Sequence, residues 1–167
     1  MTRSHLYRLV QAALFTALVA VATMVIQVPM PRTGGFINVG DTMIFVAALL
    51  LGPRVGLIAG GLGSALADII LGYAHWAPWT LVIKALEGLI AGWLGHTTYR
   101  SARPVRPLML AAMVAAALWM VAGYYVASGI MYGFAAALAD IPSNLIQGGA
   151  SVVMAFALLG ALRAFRQ

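Results

Sequence analysis

Six stretches of the chain are apolar almost without interruption, at about residues 7–28, 42–51, 55–73, 78–96, 107–128 and 141–165. Crossing a hydrocarbon layer of about 30 Å takes roughly 20 helical residues, and five of the six stretches are long enough. The second is not: its ten residues rise only about 15 Å as a helix. Residues 29–41, just before it, hold two prolines and three glycines. Irregular backbone is tolerated at membrane depth only inside protein or beside a cavity. This segment is therefore expected to dip into the protein and cap a cavity, with a plain surface loop beside a tilted short helix as the alternative.

Charge decides the topology. If all six segments cross, Arg3, Arg8, Arg54, Arg100, Arg103, Arg106, Arg163 and Arg166 share one side, eight of the ten basic residues. Arg32 alone falls on the other side, and Lys84 lies within the fourth segment. If the second segment turned back, Arg54 and the group at 100–106 would change sides and the bias would vanish. The positive-inside rule thus favours six crossings with both termini cytoplasmic. The basic start leading into an apolar run could be a signal peptide, but the run continues past Ala20-Val21-Ala22 and is read as a retained first helix.

Composition supports a lipid-facing protein. Of the 167 residues 63% are hydrophobic and 8% charged, against about 25% charged in a soluble domain. The expected fold is an all-α, polytopic membrane protein: one domain over 1–167, six transmembrane helices, the second short, in a cell membrane. The net charge of +6 comes from single residues between apolar runs. That pattern fits topology better than the basic face a nucleic-acid binder needs. The absence of cysteine removes disulfides and thiolate chemistry. The histidines lack a carboxylate cluster at ligand spacing, so neither a metal nor a cofactor is expected.

With so few polar groups in the spans, each is informative. Lys84 and Glu87 are three apart, share a helix face and can pair; they fall near the middle or in the outer half of the fourth helix. Asp68 falls in the outer half of the third, where it could partner Lys84. Asn144 and Gln147 share a face of the sixth, continued by Ser151. Tyr73, Trp76, Trp79, Tyr124 and Tyr125 fall around them, while the inner halves of helices one, five and six are apolar or small. This reads as an outward-facing polar pocket closed below. Plainer readings stand beside it: interfacial tryptophans and tyrosines, a structural Lys84–Glu87 pair, and Asn144 and Gln147 as interhelical hydrogen-bond glue. His75 and His96 read as interfacial. Small residues recur four apart at Ala13 and Ala17, at Ala12, Thr16 and Ala20, at Gly56 and Gly60, and at Gly88 and Gly92. That spacing lets helices approach closely, either within the bundle or against another membrane protein.

Several runs resemble the substrate-binding S components of energy-coupling factor (ECF) transporters. They are Gly34-Gly-Phe-Ile-Asn-Val-Gly-Asp41 with Ala47-Ala-Leu-Leu-Leu-Gly-Pro53, Ala59-Gly-Gly-Leu-Gly-Ser-Ala-Leu-Ala-Asp68 with Leu71-Gly-Tyr73, and Trp79-Thr-Leu-Val-Ile-Lys-Ala-Leu-Glu-Gly88. The close resemblance covers about residues 34–95. It implies a subunit that binds a vitamin from outside, in a pocket among helices four to six capped by the loop after helix one. It also implies docking onto a transmembrane T component coupled to two cytoplasmic ATPases, with Ala13 and Ala17 in the docking face and toppling as the release step. The branch resembles members for riboflavin, hydroxymethylpyrimidine or pyridoxine-type substrates.

Together these give a candidate site of Asn38, Asp41, Tyr73, Trp79, Lys84, Glu87, Tyr125, Asn144 and Gln147. Aromatic faces with one Lys–Glu pair and two amides suit a small, flat, neutral or weakly charged ring. A phosphorylated vitamin would call for an arginine cluster. The expected cargo is thus a thiamine precursor or a pyridoxine-sized ring, with riboflavin as the alternative. The chain has no P-loop, so ATP would be used by partners. Rival readings are an intramembrane enzyme built on Asp68, Glu87 or His75, for which no nucleophile or protease motif is present, and a self-sufficient small-solute transporter.

Overall fold

The computed structural model describes residues 3–30, 33–101 and 106–165. Pro31, Arg32, Arg103 and Arg166 lie outside them. The chain runs α1 (Arg3–Val25), β1 (Gln27–Met30), β2 (Gly35–Asn38), α2 (Gly40–Leu51), α3 (Pro53–Ile70), α4 (Ala77–Arg100), α5 (Arg106–Tyr132), α6 (Phe134–Leu138) and α7 (Ile141–Ala164). Each of the six apolar stretches forms a helix. Two elements go beyond the expected six helices. The segment after α1 is an antiparallel hairpin, pairing Gln27 with Asn38 and Met30 with Gly35, and the short α6 follows a break at Gly133, whose φ is +92°.

Among the described residues four helices are long and apolar enough to cross a membrane: α1, α3, α5 and α7. Of the other two expected crossings, α2 is the short one, with 12 residues. The α4 helix has 24, about 36 Å, but Lys84 and Glu87 interrupt its apolar surface. Position explains this for α2 and for the buried face of α4 that carries Lys84 and Glu87. The α4 helix packs against α2, α3 and α5, and α2 against α1, α3, α4 and α7. Between Gly40 and Leu49 every residue of α2 except Met43 is buried. A helix so enclosed needs neither to match the bilayer nor to avoid polar neighbours. The outer helices instead turn Leu14, Val21, Leu118, Ile146 and Val153 outwards. The result is a multi-pass membrane bundle.

The small-residue pairs divide by face. A Cβ on Gly88 would lie 2.2 Å from the Gly56 carbonyl oxygen, and one on Gly60 would lie 2.5 Å from that of Lys84. The α3 and α4 backbones therefore touch, and the glycine pairs are internal packing. Ala12 and Ala20 are likewise buried, whereas Ala13 and Ala17 on the adjoining ridge of α1 are exposed.

Helix direction sorts the two ends of the bundle. The hairpin, the α3–α4 turn and the start of α7 share one end. Arg8, Arg54, Arg100, Arg106 and Arg163 belong to the other, with Arg163 donating to the carbonyls of Tyr99 and Ser101. Between the ends, Phe45, Leu49, Met113, Val152 and Leu159 form a packed apolar layer.

A candidate ligand cavity at the hairpin end

The site rests on Asp41, in the first turn of α2, and Lys84, near the middle of α4. The Lys84 ammonium donates to Asp41 Oδ1 and to Glu87 Oε2 at 2.9 Å. It also lies 5.5 Å from the centre of the Tyr124 ring. Gln147 Nε2 donates to the second Asp41 oxygen at 2.8 Å, and Gln147 Oε1 accepts from the Asn38 backbone N–H at 2.9 Å. Asn38 Oδ1 in turn accepts from Gly40 N–H at 2.8 Å, which fixes the step from β2 into α2. Gly40 is required there: a Cβ would sit 2.1 Å from Thr23 Oγ1 of α1. One network thus ties the hairpin, α2, α4 and α7 together. Lys84, Asp41, Glu87 and Gln147 are all buried, so each charge relies on these bonds in place of water.

Above this network lies a narrow cavity of about 30 Å³. Trp76 and Tyr124 wall it, with ring centres 5.9 Å apart and planes at 63°. Phe36 and Met30 of the hairpin cover it. Its polar lining includes Asp68, Lys84, Asn144 and Gln147. Tyr124 donates to Thr80 Oγ1 at 3.2 Å. Three buried lining atoms have no hydrogen-bond partner among the described residues: Asp68 Oδ2, Trp76 Nε1 and Thr23 Oγ1. Buried polar groups are ordinarily paired. An acceptor, a donor and a hydroxyl left open around one cavity are what a polar ring-shaped ligand needs.

The family model for the S component of the ECF-type riboflavin transporter matches residues 3–164. The chain belongs to that family. A protein of Pyrococcus woesei, described as an uncharacterised protein in the gap 3′ region, is 40% identical over 136 residues, covering 81% of this chain and 88% of its own length. The thiamine precursor transporter HmpT of Lactococcus lactis subsp. cremoris is 29% identical over 159 residues, covering 95% of this chain and 86% of its own. A UPF0397 protein of Streptococcus pneumoniae is 32% identical over 81 residues, 48% of this chain and 41% of its own. The protein is accordingly a membrane S component in vitamin uptake, and not an enzyme.

The S component distributes the nine sequence-derived candidates over three settings. Asn38, Lys84, Asn144 and Gln147 line the cavity. Asp41 and Glu87 lie behind Lys84 as its ion-pair partners. Tyr73, Trp79 and Tyr125 are outside the lining: Tyr73 packs on Phe36 with centres 4.8 Å apart, Tyr125 packs on Phe134, and Trp79 is half-buried against the Trp76 cluster. Asp68 does not partner Lys84; Asp41 does, from a different helix. Trp76, which could have been an interfacial residue, is only 4% exposed. The candidate set left out Asp68, Trp76, Tyr124, Thr80 and Ser128, all lining residues. The first three were visible as polar or aromatic residues at the right depth. Thr80 and Ser128 carry no signal, because hydroxyls are common in membrane helices.

Proposed function

We propose that this S component captures a small heterocyclic vitamin precursor, of hydroxymethylpyrimidine or pyridoxine size, in the cavity beneath the hairpin. The three open polar atoms around an aromatic-walled cavity carry this reading. Asp68 would accept from an amino or ring N–H group, Trp76 Nε1 would donate, and Asn144 would offer both. The Trp76 and Tyr124 rings would pack against the ligand, while the Asp41–Lys84–Glu87 network holds the floor. A thiamine precursor transporter among the relatives supports the same cargo class. The name of the family model favours riboflavin as the second reading.

We further propose six crossings, with α2 and α4 completing the set, both termini cytoplasmic and the cavity outward. The arginines at the end opposite the cavity support this orientation. Release into the cell would require a T component and two ATPases, and the exposed Ala13 and Ala17 offer α1 a smooth face for the T component.

Trp76 provides the assay. Purified protein in detergent is titrated with hydroxymethylpyrimidine, pyridoxine, thiamine and riboflavin while tryptophan fluorescence is followed, and any co-purified ligand is identified by mass spectrometry. Saturable quenching by a one-ring compound, lost on Trp76→Phe, is the expected result. Riboflavin binding alone would select the second reading, and silence across the panel would overturn both. Uptake into proteoliposomes without an ATPase would instead reveal a self-sufficient transporter.

A further inference from the structure

The four carboxylates of the chain, Asp41, Asp68, Glu87 and Asp140, are all buried, and none belongs to the end of the bundle that carries the arginines. There, Arg8 of α1, Arg54 of α3 and Arg100 of α4 are exposed and line a single open groove. Its floor is the α2–α3 break at Gly52 and Pro53. Its wall includes His96, whose Nδ1 donates to the Leu49 carbonyl at 2.8 Å. No side-chain carboxylate of the protein answers these three guanidinium groups. Three cations brought together without an internal counter-charge call for an anion from outside.

The surroundings indicate which anion. Trp93 precedes His96 and Arg100 by three and seven positions on α4, on the same side of the helix, and is 75% exposed. Leu9 and Val10 are exposed on α1 beside Arg8. The groove therefore adjoins surface that faces lipid. We propose that it is a binding site for the phosphodiester headgroup of an anionic membrane lipid. The guanidinium groups hold the phosphate oxygens in paired hydrogen bonds, and the acyl chains lie along the apolar surface around Trp93. Basic pockets between membrane helices suit such headgroups. An acidic segment of a partner protein would meet the same charges but has no use for the adjoining apolar surface.

The full chain in detergent is mixed with phosphatidylglycerol or phosphatidylcholine and examined by native mass spectrometry, beside R8Q/R54Q/R100Q. Wild type should retain phosphatidylglycerol in preference to phosphatidylcholine. At about fivefold per arginine, the triple variant should lose about a hundredfold in that affinity. Tryptophan fluorescence and thermal unfolding serve as fold controls, since these arginines are remote from the cavity. Equal retention of the two lipids, or phosphatidylglycerol retained undiminished by a folded triple variant, overturns the proposal. Displacement of the lipid by millimolar inorganic phosphate also overturns it, marking a soluble-anion site. A variant that binds lipid like wild type but fails to assemble with its ATPase module assigns the groove to a protein partner instead.

Discussion

Lys84 shows how a residue legible in the sequence changes meaning once its neighbours are known. Its position suggested either a ligand contact or a structural pair with Glu87. With Asp41 and Glu87 both bonded to it and all three buried, Lys84→Ala leaves two carboxylates uncompensated. Breaking a buried pair in this way costs about 3–5 kcal/mol. Thermal unfolding in detergent should show a large loss for Lys84→Ala and a small one for Asn144→Ala, which removes a lining amide with no hydrogen bond to another described side chain. Asp68→Asn separates recognition from stability in the other direction. Its Oδ2 has no hydrogen-bond partner among the described residues, so the variant should unfold close to wild type. It should bind the ring ligand roughly 10- to 100-fold more weakly, the scale of one hydrogen bond to a charged group. Unchanged affinity by fluorescence titration would remove Asp68 from the site.

Among the elements, α3 and α4 form the scaffold that positions Asp68, Thr80 and Lys84, and their backbone contact is the reason it is rigid. Gly88→Ala would place a methyl group 2.2 Å from the Gly56 carbonyl oxygen. Neither backbone can yield locally, so the helices must separate, at about 1–3 kcal/mol or more. Gly149→Ala and Gly160→Ala meet nothing within 4 Å and should be neutral or slightly stabilising, as expected for alanine in a helix. A common shift of all three variants in thermal unfolding would argue against close α3–α4 packing. The apolar stretches and the glycine pairs made these helices readable, because a lipid-spanning helix needs a long run and close packing needs repeated small residues. The hairpin was not readable. Pro29 and the glycines at 34, 35 and 40 hide any alternation over strands only four residues long. Proline survives in β1 because a two-stranded hairpin consists of edge strands. The Asp41–Lys84 pair was equally hidden, since 43 residues separate its members and helical periodicity relates only near neighbours.

At the scale of the whole molecule, polarity is divided between the two ends of one bundle: carboxylates and aromatics around a covered cavity, arginines at the other end, and a packed apolar layer between them. That layer leaves no polar path from end to end among the described residues, which suits a binding subunit that relies on partners for release. The same division sets a physical test of orientation. The chain has no cysteine, so single cysteines report without background. His75 is exposed at the cavity end and His5 at the arginine end. In intact cells, His75→Cys should react with a membrane-impermeant maleimide and His5→Cys should not, whereas both should react after permeabilisation. Labelling of His5→Cys alone in intact cells would invert the topology and turn the cavity toward the cytoplasm. Labelling of both, or of neither, in intact cells would mean that the two ends share a side, as happens if α2 fails to cross. The outcome therefore bears on the number of crossings as well as on their direction.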